Sequence, residues 1–323
     1  MTEIKIWFTD FYQGFDARNN PFTNLLSEHY KIILDKNSPD FLFFSCYGHD
    51  FLNYDCVRIF YTGENIRPDF NLSDYAIGFD YLQYEDRYLR FPNFALFEGQ
   101  FEELKRETTY TPKLEKEFFC NFIYSNHQAN PVRDQFFQAL NDYKPITSPG
   151  THLNNSKISI GGRFSENWMF DKIEFQSKCK FTIAFENSSS PGYTTEKIMH
   201  AFVAGSIPIY WGDPKVTADF NKEAFINVHD FENLSEVVNR VIEIDQNAEA
   251  FQDMLAQPPF RRNKIPSNLK MERLTEFLTY ILDQDRKVAT RRPKFGTTPN
   301  YEQKLKGLFS TKNSKGWKRL FKS

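Results

Sequence analysis

Residues 180–211 read KFTIAFENSSSPGYTTEKIMHAFVAGSIPIYW. Lys180–Glu186 is a run of aromatic and β-branched residues, which predicts a buried strand. A polar turn with Pro191 and Gly192 follows. Thr194 is a good N-cap type, and Ile198, Ala201, Phe202 and Gly205 recur at i, i+3, i+4 and i+7. That spacing predicts a helix over Thr195–Ala204. Ser206–Trp211 is then a second strand. Strand, helix and strand within so short a stretch make a βαβ unit, hence a parallel sheet with a right-handed crossover.

In such a unit the helix N-terminus lies at the C-terminal end of a parallel strand. Its N–H groups and the positive end of its dipole suit a phosphate there, and Lys197 adds a full charge. Spacing alone leaves a second reading open, with Glu196 favouring its own helix N-terminus and Lys197 as a solvated surface residue. Neither G-x-G-x-x-G nor G-x-x-x-x-G-K-[ST] is present.

Outward from this unit the same alternation continues. Phe118–Tyr124 reads as a buried strand, Pro131–Asn141 as a helix with proline in its first turn, and Phe164–Ser177 as an amphipathic helix. Ala224–Val228 reads as a strand and Phe231–Ile244 as a helix. Toward the N-terminus, Ile4–Phe8, Phe41–Cys46, Val57–Tyr61 and Tyr75–Phe79 predict strands, with a helix near Asn24–Tyr30. Lys105–Lys116 is polar, carries a proline and has no apolar period, so it reads as a linker. The expectation is an α/β chain of two domains, residues 1–110 and 111–285, followed by a basic amphipathic tail over 286–323.

Composition sets limits. The chain has 323 residues, 40% of them apolar and 35 of them Phe, enough for two aromatic-rich cores. A net charge of −2 gives no overall attraction to nucleic acid. Cys46, Cys56, Cys120 and Cys179 form no C-x-x-C pair, and no two histidines stand at H-x-x-x-H spacing, so no metal site is expected. Asp283-Gln284-Asp285 has D-x-D spacing but closes the helix-like stretch Met271–Leu282, and reads as surface or capping. The start, MTEIKIWFTD, lacks a basic then apolar leader, and no run reaches the roughly 20 apolar residues of a membrane span. A cytoplasmic protein is expected.

Three stretches in order carry a family resemblance. Phe185–Pro214, FENSSSPGYTTEKIMHAFVAGSIPIYWGDP, resembles the signature of the α-1,3/4-fucosyltransferase family, glycosyltransferase family 10. The segments Arg58–Asn65 (RIFYTGEN), Phe70–Asp80 and Asp86–Arg90 are similar to the matching region of its bacterial, Helicobacter-type members. Asn130-Pro131-Val132-Arg133, with Phe136 and Leu140-Asn141, is a third match. The resemblance spans residues 57–285 and implies a GT-B architecture, two Rossmann-like domains facing each other across a cleft. It implies an inverting α-1,3-fucosyltransferase that moves L-fucose from GDP-β-L-fucose to the N-acetylglucosamine of a LacNAc-type, Lewis x-like acceptor. Carried over by motif, Arg133, Asn187, Tyr193, Glu196 and Lys197 line the donor site, and Glu64 is the general base.

The chemistry suits these residue types. A diphosphate leaving group needs cations, and Arg133 and Lys197 supply them, so a divalent metal is not obligatory and no cofactor is required. One-step inversion needs a carboxylate to take the acceptor's hydroxyl proton, the role given to Glu64. Glu196 is open between binding a ribose hydroxyl, binding a fucose hydroxyl and stabilising positive charge on the sugar. Tyr193 is open between packing on the ligand and plain core packing. Residues 93–116 depart from the family pattern and the tail has no heptad array, so acceptor range and oligomeric state do not follow from the resemblance.

Residues 286–323 hold twelve Lys or Arg and one acid, Glu302. Cations beside Trp317, Leu320 and Phe321 suit a peripheral contact with an anionic membrane, here the inner face of the inner membrane. The plainer alternative is a solubilising tail. Two other functions compete: a GT-B enzyme using a different nucleotide sugar, and a non-catalytic glycan-binding protein. The joint presence of Glu64, Arg133, Glu196 and Lys197 weighs against the latter.

Overall fold

A computed structural model describes residues 1–104, 111–161 and 167–310. The chain divides into two compact units. One holds Met1–Gly78, Leu82–Phe91 and the chain from Met271 onward; the other holds Phe79–Tyr81 and Pro92–Lys270.

The first unit is built on β1 (Glu3–Thr9), α1 (Pro21–Ser27), β2 (Lys31–Leu34), β3 (Phe41–Phe44), β4 (Val57–Tyr61), β5 (Tyr75–Gly78) and β6 (Tyr88–Arg90). Its strands form one sheet in the order β2-β1-β3-β4-β5-β6, every pairing parallel. β3, β4 and β5 are buried along their whole length, as interior strands of a parallel sheet are, and apart from Arg58 they read as apolar runs. The sheet edges, β2 and β6, are four and three residues long, too short to leave a periodic signal in sequence. α1 starts earlier than expected because the Asn20 side chain accepts from the N–H of Phe22 and Thr23, both at 3.0 Å, with Pro21 behind it.

The second unit comprises α2 (Phe101–Leu104), β7 (Phe118–Asn121), α3 (Val132–Asn141), β8 (Ile146–Thr147), α4 (Trp168–Ser177), β9 (Cys179–Phe185), α5 (Glu196–Val203), β10 (Ile207–Trp211), β11 (Ile226–Asn227), α6 (Leu234–Gln246) and α7 (Ala248–Ala256). Its parallel sheet runs β11-β10-β9-β7-β8. The βαβ unit read from residues 180–211 is therefore β9-α5-β10. Gly205 ends α5 in the left-handed region at φ +61°, and the N–H of Ser206 reaches back to Ala201 O at 3.0 Å, so β10 can begin at once. The chain steps from β7 to β8 on one side and then places β9 on the other, so the strand order reverses between β7 and β9.

From Met271 the chain returns to the first unit as α8 (Met271–Leu282), α9 (Arg286–Ala289) and α10 (Thr297–Ser310). This moves the expected boundaries. The first unit ends its first pass at Phe91 rather than near residue 110, and α8 belongs to it rather than to the second unit. Of the expected linker, residues 105–110 lie outside the described residues.

The expected tail also needs correction as far as Ser310. The buried Asp74 accepts from the N–H of Arg291 and of Arg292, both at 2.8 Å, and pairs with Arg292 Nε at 3.2 Å. Arg286 pairs with Asp40 at 2.6 Å, Lys294 with Asp55 at 3.3 Å, and Arg291 with Asp86. Glu302 reaches Arg58, only 2% exposed, at 2.8 Å, while Leu305 and Phe309 pack on the cluster of Leu42, Phe44 and Phe51. The basic run therefore meets acids of the first unit some 200 residues away, partners that no local reading of the tail reveals. Trp317, Leu320 and Phe321 lie outside the described residues.

Candidate active site

In an open parallel sheet, ligands bind beyond the carboxyl ends of the strands where the strand order reverses. In the second unit that point is the β7/β9 boundary, and a cavity of about 180 Å³ opens there. Tyr124 and Asn126 line it from the segment after β7, and Asn187 from the segment after β9. Glu196 and Lys197 enter from the first turn of α5, Trp168 and Lys172 from α4. The two strand ends are fastened together. Tyr124 Oη donates to Ile183 O at 2.8 Å and accepts from the Phe185 N–H at 2.7 Å, and Asn187 O accepts from the Asn130 N–H at 2.8 Å.

The turn between β9 and α5 depends on Gly192. Its φ is +85°, and a Cβ there would stand 2.2 Å from the carbonyl oxygen of Phe79, so a side chain is excluded on two counts. Its N–H donates to Asp213 at 2.7 Å. Beyond the turn, the fully buried carboxylate of Glu186 accepts from the Thr195 N–H at 2.7 Å, from Thr195 Oγ1 at 2.7 Å and from Lys197 Nζ at 2.9 Å. Burial outweighs the three donors that converge on Glu186 and raises its pKa. Burial also opposes the charge of Lys197; Glu186 and Glu196 outweigh it and raise the lysine's pKa. The helix N-terminus is thus not the open anion site its sequence suggests, since a protein carboxylate already takes the Thr195 N–H. Positive charge at the cavity wall comes from the side chains of Lys172 and Lys197.

Glu196 is pressed toward its neutral form by burial, yet Lys197 and Lys172 overcome this and bring its pKa down to about 2. Lys172 lies on the cavity wall, and its ammonium donates to Nδ1 of His200 at 3.2 Å. Sequence reading passed over both Glu186 and Lys172. Glu186 sits inside the quoted motif but looked like the last residue of a strand, and Lys172 is one of many lysines on amphipathic helices.

Arg133, in the first turn of α3, is 1% exposed and does not line the cavity wall; it lies behind two residues that do. Its guanidinium stacks 4.4 Å over the Tyr124 ring, its Nη2 donates to Asn126 O, and its Nε stands 3.6 Å from Asp134. Nε and Nη1 make no hydrogen bond among the described residues. Buried guanidinium donors without acceptors are costly. Tyr193 is 2% exposed, packs edge-on to Phe79 at 5.2 Å, and is not among the residues lining the cavity.

Glu64 belongs to the first unit, beyond the carboxyl end of β4. Tyr47 Oη donates to its Oε1 at 2.7 Å, and its own N–H donates to Thr62 Oγ1 at 3.1 Å. Its side chain is partly exposed. The D-x-D pair has structural partners: Asp285 caps α9 and Asp283 accepts from Tyr30 at 2.7 Å. Among the described residues no group of three or more His, Cys, Asp and Glu side chains is placed to hold a metal ion. None of their helices is long and apolar enough to cross a membrane.

Residues 6–97 match the model of the alpha-(1,3)-fucosyltransferase FucT N-terminal domain, and residues 113–258 the C-terminal model of glycosyltransferase family 10 (fucosyltransferase). A crystal structure of an alpha1,3-fucosyltransferase with GDP-fucose is 31% identical, covers 88% of this chain and 92% of its own, and superposes with a TM-score of 0.74. The chain belongs to the fucosyltransferases of glycosyltransferase family 10. A second alpha1,3-fucosyltransferase structure gives a TM-score of 0.77 at 30% identity, over 91% of this chain and 93% of the other. These matches assign the fucosyltransferase chain to the GT-B fold class, in keeping with its two parallel-sheet units. The alpha-(1,3)-fucosyltransferase FucT of Helicobacter pylori is 34% identical over 84% of this chain, and a putative fucosyltransferase of Acanthamoeba polyphaga mimivirus 30% identical over 67%. The chain spans 63% and 37% of the lengths of these two relatives.

Proposed function

We propose that this chain is an inverting α-1,3-fucosyltransferase, moving L-fucose from GDP-β-L-fucose to the N-acetylglucosamine of a LacNAc-type acceptor. One observation carries the reading. The cavity at the strand reversal of the second sheet gathers Asn187, Glu196 and Lys197 of the family motif, adds Lys172, and has Arg133 behind its wall, with Nε and Nη1 making no hydrogen bond among the described residues. That is a setting for a diphosphate, and the family relatives include an alpha1,3-fucosyltransferase with GDP-fucose.

In the proposed reaction the bond from the anomeric carbon to the β-phosphate oxygen breaks and its electron pair leaves with GDP. Lys197 and Arg133 stabilise that charge. The acceptor oxygen attacks the opposite face of the sugar, and its proton passes to Glu64, giving the inverted α-linkage. Glu196, held ionised by its lysines, suits stabilisation of the positive charge that develops on the sugar ring or binding of a sugar hydroxyl. Cations already supply the leaving-group charge, so transfer needs no divalent metal and survives EDTA. A contact with anionic membrane rests on composition alone, the five Lys or Arg and the apolar Trp317, Leu320 and Phe321 of residues 311–323. Equal binding of the full chain and of residues 1–310 to anionic vesicles rules that contact out.

The test is transfer of labelled fucose to lactose, N-acetyllactosamine and its β-1,3-linked isomer, with linkage analysis and GDP-mannose as the competing donor. An α-1,3 linkage to N-acetylglucosamine from GDP-fucose supports the reading. Turnover with GDP-mannose only, or no transfer to any of the three, overturns it.

A further inference from the structure

Behind the cavity wall lies a group to which neither the family resemblance nor the proposed mechanism gives a role. His200 is fully buried in α5, one helical turn beyond Glu196. Its ring is boxed by Phe97 at 6.0 Å and Trp168 at 6.4 Å, both edge-on. Its Nδ1 faces Lys172 Nζ at 3.2 Å, and its Nε2 makes no hydrogen bond among the described residues. An ammonium has no lone pair, so in this contact the lysine donates and the imidazole nitrogen accepts. The imidazole is therefore neutral, with its proton on Nε2.

We propose that His200 is a positioning residue for the donor: its neutral imidazole fixes the Lys172 ammonium at the cavity wall, where that ammonium serves the diphosphate and Glu196. The inference rests on the reading of the cavity as the GDP-fucose site. Its logic is that of a long, flexible side chain. A lysine stem has four rotatable bonds, and holding it in one rotamer costs entropy that an internal acceptor offsets. A carboxylate at position 200 also anchors the ammonium but cancels its charge. The imidazole anchors it and contributes no charge of its own. Burial, with the positive charge of Lys172, depresses the His200 pKa to about 3, so the anchor stays neutral wherever the enzyme works. Trp168 contributes twice, as a wall of the cavity and as a ring 5.8 Å from the Lys172 ammonium.

The experiment measures GDP affinity calorimetrically on the whole chain for wild type, His200→Phe, His200→Asn, His200→Asp and Lys172→Met, with thermal midpoints recorded alongside. Phenylalanine keeps the ring volume and removes the acceptor. Asparagine restores an acceptor near the Nδ1 position, and aspartate restores it with a negative charge. The expected result is a loss of about tenfold in GDP affinity for His200→Phe, the usual effect of removing a hydrogen bond to a charged group. His200→Asn recovers most of it and His200→Asp loses more than the phenylalanine variant. In steady-state transfer the KM for GDP-fucose rises while the KM for the acceptor stays level. His200→Phe combined with Lys172→Met loses no more than Lys172→Met alone, because the histidine acts through the lysine. Wild-type protein that binds no GDP overturns the donor reading and this inference with it. Wild type that binds GDP, with folded phenylalanine and aspartate variants that bind it equally well, overturns this inference alone. Losses from His200→Phe and Lys172→Met that add in full overturn it too.

Discussion

Replacing Glu186 by glutamine changes one oxygen to an NH₂ group in a site with no exposed surface. The carboxylate now takes three hydrogen bonds, two from Thr195 and one from Lys197 Nζ at 2.9 Å. A glutamine oxygen placed as Oε1 keeps the Thr195 N–H contact. Its NH₂ then occupies the position of Oε2 and points a donor at the lysine ammonium. Breaking a buried ion pair from one side costs about 3–5 kcal/mol. Lys197 is 18% exposed and gains some water, so the figure falls to about 2–4 kcal/mol. For a unit of this size that lowers the thermal midpoint by about 5–15 °C. The lysine also loses the contact that holds it over the cavity, so GDP affinity drops with the midpoint. Adding Lys197→Met to Glu186→Gln removes both partners, and stability returns to within about 1–2 kcal/mol of wild type while GDP binding does not. Thermal unfolding by circular dichroism and calorimetric GDP titration on the three variants provide the check. A Glu186→Gln protein that melts within a degree of wild type refutes the pair of Glu186 and Lys197 as a support of α5. A double variant less stable than either single one refutes the pairing logic.

Three further outcomes are expected. Glu64→Gln keeps the fold and GDP affinity but lowers fucose transfer about 10²–10⁴-fold, the usual contribution of a positioned base; transfer near the wild-type rate removes Glu64 from the mechanism. The pKa of His200 falls from 6.5 to about 3 on folding and that of Glu196 from 4.5 to about 2. The unfolded chain therefore binds more protons, and stability is present above pH 6.5 and is lost as pH falls, by up to about 1.4 kcal/mol per unit for each group. Burial depresses His49 and His229 as well and raises Glu186, so the informative quantity is a difference: His200→Phe should flatten urea-derived stability between pH 6.5 and 4.5, and an unchanged slope refutes it. Deleting residues 297–323 strips Glu302 from the buried Arg58 and uncovers the apolar cluster under Leu305 and Phe309, which should destabilise the first unit by about 2–4 kcal/mol. Unfolding curves that coincide with those of the full chain refute that packing role.

What the sequence determined is local and periodic. Short aromatic and β-branched runs such as Phe41–Phe44 and Val57–Tyr61 favour interior strands, and the 3.6-residue spacing from Ile198 to Gly205 favours a helix that buries one face. The β9-α5-β10 unit was legible for that reason, and with it the parallel sheet and the position of Glu196 and Lys197 at a strand end. The family resemblance rested on the same residues. Short edges such as β2 and β6 left no trace, because three or four residues carry too little periodicity. What only the tertiary structure decided are the pairings between side chains of different elements. The contacts of Lys197 with Glu186, of Lys172 with His200, and of the buried Arg133 guanidinium with the Tyr124 ring each join side chains from different elements. The C-terminal segment makes the point most sharply. Arg291 and Arg292 read as part of a solvated basic tail, yet their backbone N–H groups close on the buried carboxylate of Asp74, 217 and 218 residues earlier. Charge in a sequence gives a residue's need for a partner, and only the folded chain supplies the partner.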